Sequence, residues 1–65
     1  MKSQIKQIIV NKGLKQKDVA ELIGVTSQQL SNWINGSSYP RLEKAFELAK
    51  LLDVKVDDLY IEETN

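Results

Sequence analysis

The segment AELIGVTSQQLSNWING, Ala20 to Gly36, decides the fold. Gly24 and Gly36 each follow apolar residues at helical spacing, and a residue free to take positive φ ends a helix without steric cost. Between them, Thr26 precedes a second apolar-periodic run and Gln29 stands three positions on. That is the Thr-x-x-Gln capping box, in which hydroxyl and amide satisfy each other's backbone N–H groups. A helix is therefore expected from Ser27, with Leu30, Trp33 and Ile34 on the face that wants a core. The opposite face is unusual: from Thr26 to Gly36 there is no charged side chain, in a chain of which 28% is charged. Amides and hydroxyls occupy it instead.

Working outward, Val19, Ala20, Leu22 and Ile23 give a short helix that stops at Gly24, with Val25 tucked inward after it. Ile5, Ile8 and Ile9 mark an earlier helix over residues 2–12, ended by Gly13. Downstream, Pro40 and Arg41 open a longer helix with Leu42, Ala45, Phe46, Ala49 and Leu52 on one stripe and Glu43 near the positive end of its dipole, ending near Asp53. Asp57 and Asp58 favour the first turn of a last helix carrying Leu59, Tyr60 and Ile61, with Val54 and Val56 packed beneath it. The expectation is an all-α domain of five short helices over residues 1–65, with no strand, repeat or linker.

Composition excludes several functions. A chain of 65 residues buries only about 60% of the surface its unfolded form exposes, so it holds one small core and no separate catalytic domain. It has no cysteine and no histidine, which removes disulfides, thiolate chemistry and the commonest metal ligands. No cofactor, metal or small-molecule ligand is expected, and an enzyme is disfavoured because no carboxylate pair in an apolar setting is evident. Ile8, Ile9 and Val10 form the longest aliphatic run, far short of the ~20 residues of a membrane span, and no signal-type stretch follows the start. A cytoplasmic protein without a membrane partner is expected. Net charge is zero, but Lys2, Lys6, Lys12, Lys15 and Lys17 crowd the first seventeen residues without an acid. Asp53, Asp57, Asp58, Glu62 and Glu63 face only Lys55 in the last fifteen. The molecule should have a basic side and an acidic side, whether as a binding footprint or as plain solvated surface.

Two helices of about two turns, over roughly residues 16–35, joined by Gly24-Val25-Thr26, make the signature of a helix-turn-helix. Ala20 is small where the helices approach, Gly24 supplies the left-handed turn, Val25 fills the gap, and Leu30 with Trp33 seats the second helix. The run from Leu14 to Tyr60 resembles the Cro/CI-type, or XRE-type, DNA-binding domains of phage and bacterial repressors. The matching pieces are Gln16, the Ala-x-x-x-Gly-Val-Thr core, Trp33, Asn35-Gly36, Pro40, and Leu-Ala-x-x-Leu followed by Val-x-Val-Asp-Asp-Leu. The resemblance implies a five-helix, lambda-repressor-like fold.

It also implies a use for the uncharged face. In such domains the third helix enters the major groove, where amides pair with adenine N6 and N7 and hydroxyls serve donor or acceptor atoms. Ser27 and Gln28 are then the first candidates for base contacts, with Asn32 one turn on and Ser31 between them. Phosphate contacts would come from Gln16, flanked by Lys15 and Lys17, from the loop Asn35, Gly36 and Ser37, and from Arg41. Gln29 is assigned to the capping box, Trp33 to the core, and Tyr39 to packing against the start of helix four.

The family pattern is not followed everywhere. Lys15 and Arg41 stand where relatives often carry a capping Ser or Thr, each a weaker cap by roughly 1 kcal/mol, and Ile34 replaces a frequent acid. Zero charge and a recognition helix without Arg or Lys imply modest affinity that depends on dimer formation. The implied function is sequence-specific binding of a double-stranded DNA operator by a phage- or prophage-type repressor, as a homodimer on a palindrome. If these residues are the whole chain, the dimer patch falls to Leu59, Tyr60 and Ile61, unless Leu59 closes the core. The alternative is an antitoxin or adaptor that uses the same fold to bind protein.

Overall fold

The computed structural model describes residues 1–63. Four α-helices carry the architecture: α1 (Ile5–Asn11), α2 (Gln16–Leu22), α3 (Ser27–Asn35) and α4 (Leu42–Leu52). The fifth helix expected from sequence is a single 3-10 turn, Val56–Asp58. The Asp58 carboxylate accepts the Lys55 N–H at 3.0 Å, and the Asp58 and Leu59 amides bond back three residues to Lys55 and Val56. After that turn the chain extends. Tyr60–Ile61 forms a strand, β2, antiparallel to β1 (Lys2–Ser3), with Lys2 opposite Ile61 and Ser3 opposite Tyr60.

These two short strands correct the expectation of a strandless fold, and they also shorten the first helix. Residues 2 and 3 are held extended against the far end of the chain, Gln4 N–H donates to the Leu59 carbonyl at 2.8 Å, and the Ser3 hydroxyl accepts the Ile5 N–H. Helix α1 therefore starts at Ile5 rather than at residue 2. A pairing of two residues is too short to show as a period-two pattern, so only the tertiary closure of the chain ends creates it.

One core joins the helices. Ile5 and Ile9 of α1, Val19 and Ala20 of α2 with Ile23 just beyond it, Leu30 and Trp33 of α3, Ala45, Leu48, Ala49 and Leu52 of α4, and Leu59 are all buried. On α4 the buried set runs i, i+3, i+4, i+7 from Ala45, the spacing of one helical face. Leu42 and Phe46, expected on that stripe, are instead 70% and 58% exposed, and Leu48 takes the inward place.

Helices α1, α2 and α4 end alike. The amides of Leu14, Val25 and Val54 each reach the carbonyl five residues back, those of Ile9, Ala20 and Ala49, at 2.9–3.0 Å. This closure needs a left-handed residue just before the apolar one, and Gly24 supplies it at φ 74° between α2 and α3. In α4 the position is held by Asp53, the one non-glycine residue with positive φ among those described (φ 57°).

Candidate nucleic-acid interface

Helix α3 presents the candidate site because both of its ends are fixed locally. At its start the Thr26 hydroxyl accepts the Gln29 N–H at 3.0 Å. The reciprocal arm of the capping box, from the Gln29 side chain, is not formed among the described contacts, so Gln29 is an exposed residue on the flank of the helix. At its end Gly36 is left-handed (φ 81°), and the amides of Ser37 and Ser38 converge on the Asn32 carbonyl at 2.9 and 3.3 Å.

Leu30 and Trp33 point to the core, which turns Gln28, Ser31, Asn32 and Asn35 to the opposite side at helical spacing. Ser27 and Gln28 are exposed, while Ser31 and Asn32 are half-buried. This gathers the base-contact candidates Gln28, Ser31 and Asn32 on one uncharged face, while Ser27 is exposed at the first position of the helix, towards its edge. Gln28 and Asn32 also touch: Gln28 Nε2 donates to Asn32 Oδ1 at 3.0 Å. One Gln28 N–H and its Oε1 are left available, which is the donor and acceptor pair that an adenine edge takes. The two amides, expected to act as separate readers, are coupled. Their i, i+4 spacing, at which side chains on one helix face meet, is the signal that could have joined them.

The candidate phosphate ligands fall in two groups along the chain. Lys15, Gln16 and Lys17 lie at the start of α2, where Lys15 makes no side-chain cap, so the first amides of that helix have no intrahelical acceptor. Asn35, Gly36 and Ser37 form the exposed end of α3, and exposed Arg41 stands at the start of α4, also without a side-chain cap.

Further residues place the site without belonging to it, and sequence reasoning missed them. Lys44 of α4 reaches across to the end of α2, where its ammonium donates to the Ile23 carbonyl at 2.8 Å and pairs with Glu47 at 3.0 Å. A cation at a helix C-terminus satisfies an orphan carbonyl and opposes the dipole, so Lys44 fixes the entrance to the turn between α2 and α3. Nothing in the sequence spacing signals it, because the two residues are 21 apart. Tyr60 braces the other end of the unit. Its hydroxyl donates to the Trp33 carbonyl at 3.2 Å, and its ring meets Tyr39 edge-on at 5.3 Å, so Tyr39 packs on Tyr60. Burial first, and the neighbouring Tyr39 second, push the Tyr60 phenol up to about 12.

A family model described as helix-turn-helix matches residues 5–59. The chain belongs to the XRE-type helix-turn-helix family. Among relatives of this helix-turn-helix domain is an uncharacterized HTH-type transcriptional regulator of Methanocaldococcus jannaschii, 35% identical over 63 residues, covering 97% of this chain and 96% of the relative. Another, from Bacillus subtilis, is likewise an uncharacterized HTH-type transcriptional regulator, 30% identical over the full length of both chains. The fold matches a crystal structure from Bacteroides fragilis, of a protein assigned a DNA-binding role, with a TM-score of 0.81 at 28% identity over 89% of this chain and 94% of that one. The helix-turn-helix family is one of DNA-binding transcription regulators. No helix among the described residues is long and apolar enough to cross a membrane.

Proposed function

We propose that the protein is a sequence-specific DNA-binding transcriptional regulator of the repressor type, reading an operator with α3 in the major groove. The observation that carries this reading is the uncharged α3 face, with Gln28 bonded to Asn32 through one N–H so that its second N–H and its carbonyl oxygen remain for a base edge. A base edge is read by matched donors and acceptors, and a bidentate amide distinguishes adenine because it meets N6–H and N7 together. Ser27 and Ser31 flank Gln28 and serve neighbouring base edges. Asn32 contributes a base contact of its own and the restraint on Gln28.

Charge supplies position rather than sequence in this scheme. Lys15, Gln16 and Lys17 take phosphates on one side of the groove, and Asn35, Gly36, Ser37 and Arg41 take them on the other. With few cations in the footprint, the salt slope should be shallow, because each neutralised phosphate adds about 0.9 to it. One such helix in one groove buries little, so the operator is a palindrome bound by two copies, with half-sites about 34 Å apart. The protein blocks polymerase by occupying that site.

The test is selection of the protein on random duplex DNA at moderate salt, followed by titration of the enriched sites at several salt concentrations. An enriched palindrome with half-sites one helical turn apart is expected. Weak binding that salt removes equally for all sequences would overturn the reading.

A further inference from the structure

The outward face of α4 carries large apolar side chains that no described residue covers. Leu42 is 70% exposed and Phe46, one turn later, 58% exposed. At 100° per residue, Leu42, Phe46, Lys50 and Glu43 fall on one strip, on the side of the helix turned away from Ala45, Leu48 and Leu52. Glu43 and Lys50 are both exposed, and neither is in an ion pair among the described residues, where Lys44 and Glu47 form the one pair. The strip therefore has an apolar centre at Phe46, an acid three residues before it and a base four residues after.

We propose that this strip is the contact between two copies of the chain, packed as antiparallel α4 helices about a two-fold axis at Phe46. The charge pattern selects this occupant. A two-fold axis that reverses the helix direction keeps each side of the strip on its own side. It brings Glu43 of one copy within one residue's rise, about 1.5 Å along the helix, of Lys50 of the second copy. The same holds in reverse, so both charges are matched at once, which is the self-complementarity an isologous contact requires. Phe46 meets Phe46 at the centre and Leu42 covers it from the other side. A parallel pairing would instead set Glu43 beside Glu43.

The patch expected from sequence does not offer this. Leu59 is fully buried, Tyr60 is engaged by Trp33 and Tyr39, and only Ile61 remains exposed. The α4 strip is also small. Eleven residues span about 16 Å, and a patch of that length and one helix width is well under the ~800 Å² per partner of a stable complex. The dimer is therefore weak in free solution and is held together by adjacent half-sites on DNA. This inference deepens the repressor reading by naming its partner surface, but its test does not depend on finding an operator.

Because the chain has no cysteine, single cysteines report the contact without background. Phe46→Cys and, as a comparison, Ile61→Cys and Leu22→Cys are oxidised at high protein concentration without DNA, so that disulfide capture accumulates even a weak dimer. Cross-linking through position 46, several-fold faster than through 61 or 22, is expected. Adding Glu43→Lys or Lys50→Glu to the Phe46→Cys chain should cut the rate several-fold, and the double exchange should restore it. Equal rates at the three positions, or no restoration by the double exchange, would overturn the proposal. Failure of the DNA selection alongside rapid capture at 46 would count against the operator reading and not against this one.

Discussion

Replacing Lys44 by Met keeps the aliphatic stem and removes only the ammonium that bridges α4 to the end of α2. That ammonium makes a 2.8 Å bond to the Ile23 carbonyl and a 3.0 Å bond to Glu47, and its side chain is 36% exposed. A hydrogen bond from a charged donor is worth about 1.5–3 kcal/mol, and partial exposure places this one near the lower end. The favourable dipole at the α2 C-terminus adds about 0.3–1 kcal/mol, while the exposed ion pair with Glu47 adds at most about 0.5 kcal/mol. Ordering the lysine side chain costs up to about 1.5 kcal/mol against these. The net loss expected is about 1.5 kcal/mol, which for a domain of this size lowers Tm by roughly 6–12 °C. Circular dichroism melts of Lys44→Met and of Glu47→Gln separate the two bonds. Glu47→Gln should shift Tm by no more than about 4 °C, since it touches only the exposed pair. If the two variants melt together within error, Lys44 does not hold the α2 terminus and the bracing of the turn is refuted.

Other substitutions test the remaining supports. Thr26→Ala removes the hydroxyl that accepts the Gln29 N–H and should cost about 1 kcal/mol in urea unfolding, without changing the denaturant slope. Asp53→Gly relieves the one left-handed non-glycine residue among those described and should raise stability by up to about 1 kcal/mol, read from the same urea curves. Tyr60 titrates in the folded protein at about 12, above its ordinary 10.0. The unfolded chain thus loses this proton first, so the contribution is present below pH 10 and is lost as pH rises from 10 towards 12. Urea midpoints across that range should fall less steeply in Tyr60→Phe than in the wild type.

Much of the fold could be read from local signals because the helix-turn-helix is written locally. Gly24, Val25, Thr26 and Gly36 each act on backbone groups within a few residues, and the structure places α2, the turn and α3 where those residues indicate. The candidate surface followed, since Leu30 and Trp33 fix which side of α3 turns outward. What was not legible depends on distant parts of the chain. The β1–β2 pairing joins residues nearly sixty apart, and its geometry, with Leu59 in the core, decides that residues 56–61 are a 3-10 turn and a strand. Likewise Leu42 and Phe46 have apolar character and helical spacing, and only the packing of α4 on the other helices shows that Leu48 faces in and they face out.

A Gln28 that reads a base should carry nothing of the fold's stability. The decisive measurement compares Gln28→Ala with the wild type on every single-base variant of the selected site and by thermal melting. A loss of discrimination of about 1–3 kcal/mol at one base pair is expected, with preferences elsewhere kept and Tm almost unchanged, because Gln28 is exposed and, among the described residues, its side chain bonds to Asn32 alone. A large fall in Tm with base preference intact would contradict it and make Gln28 a structural residue.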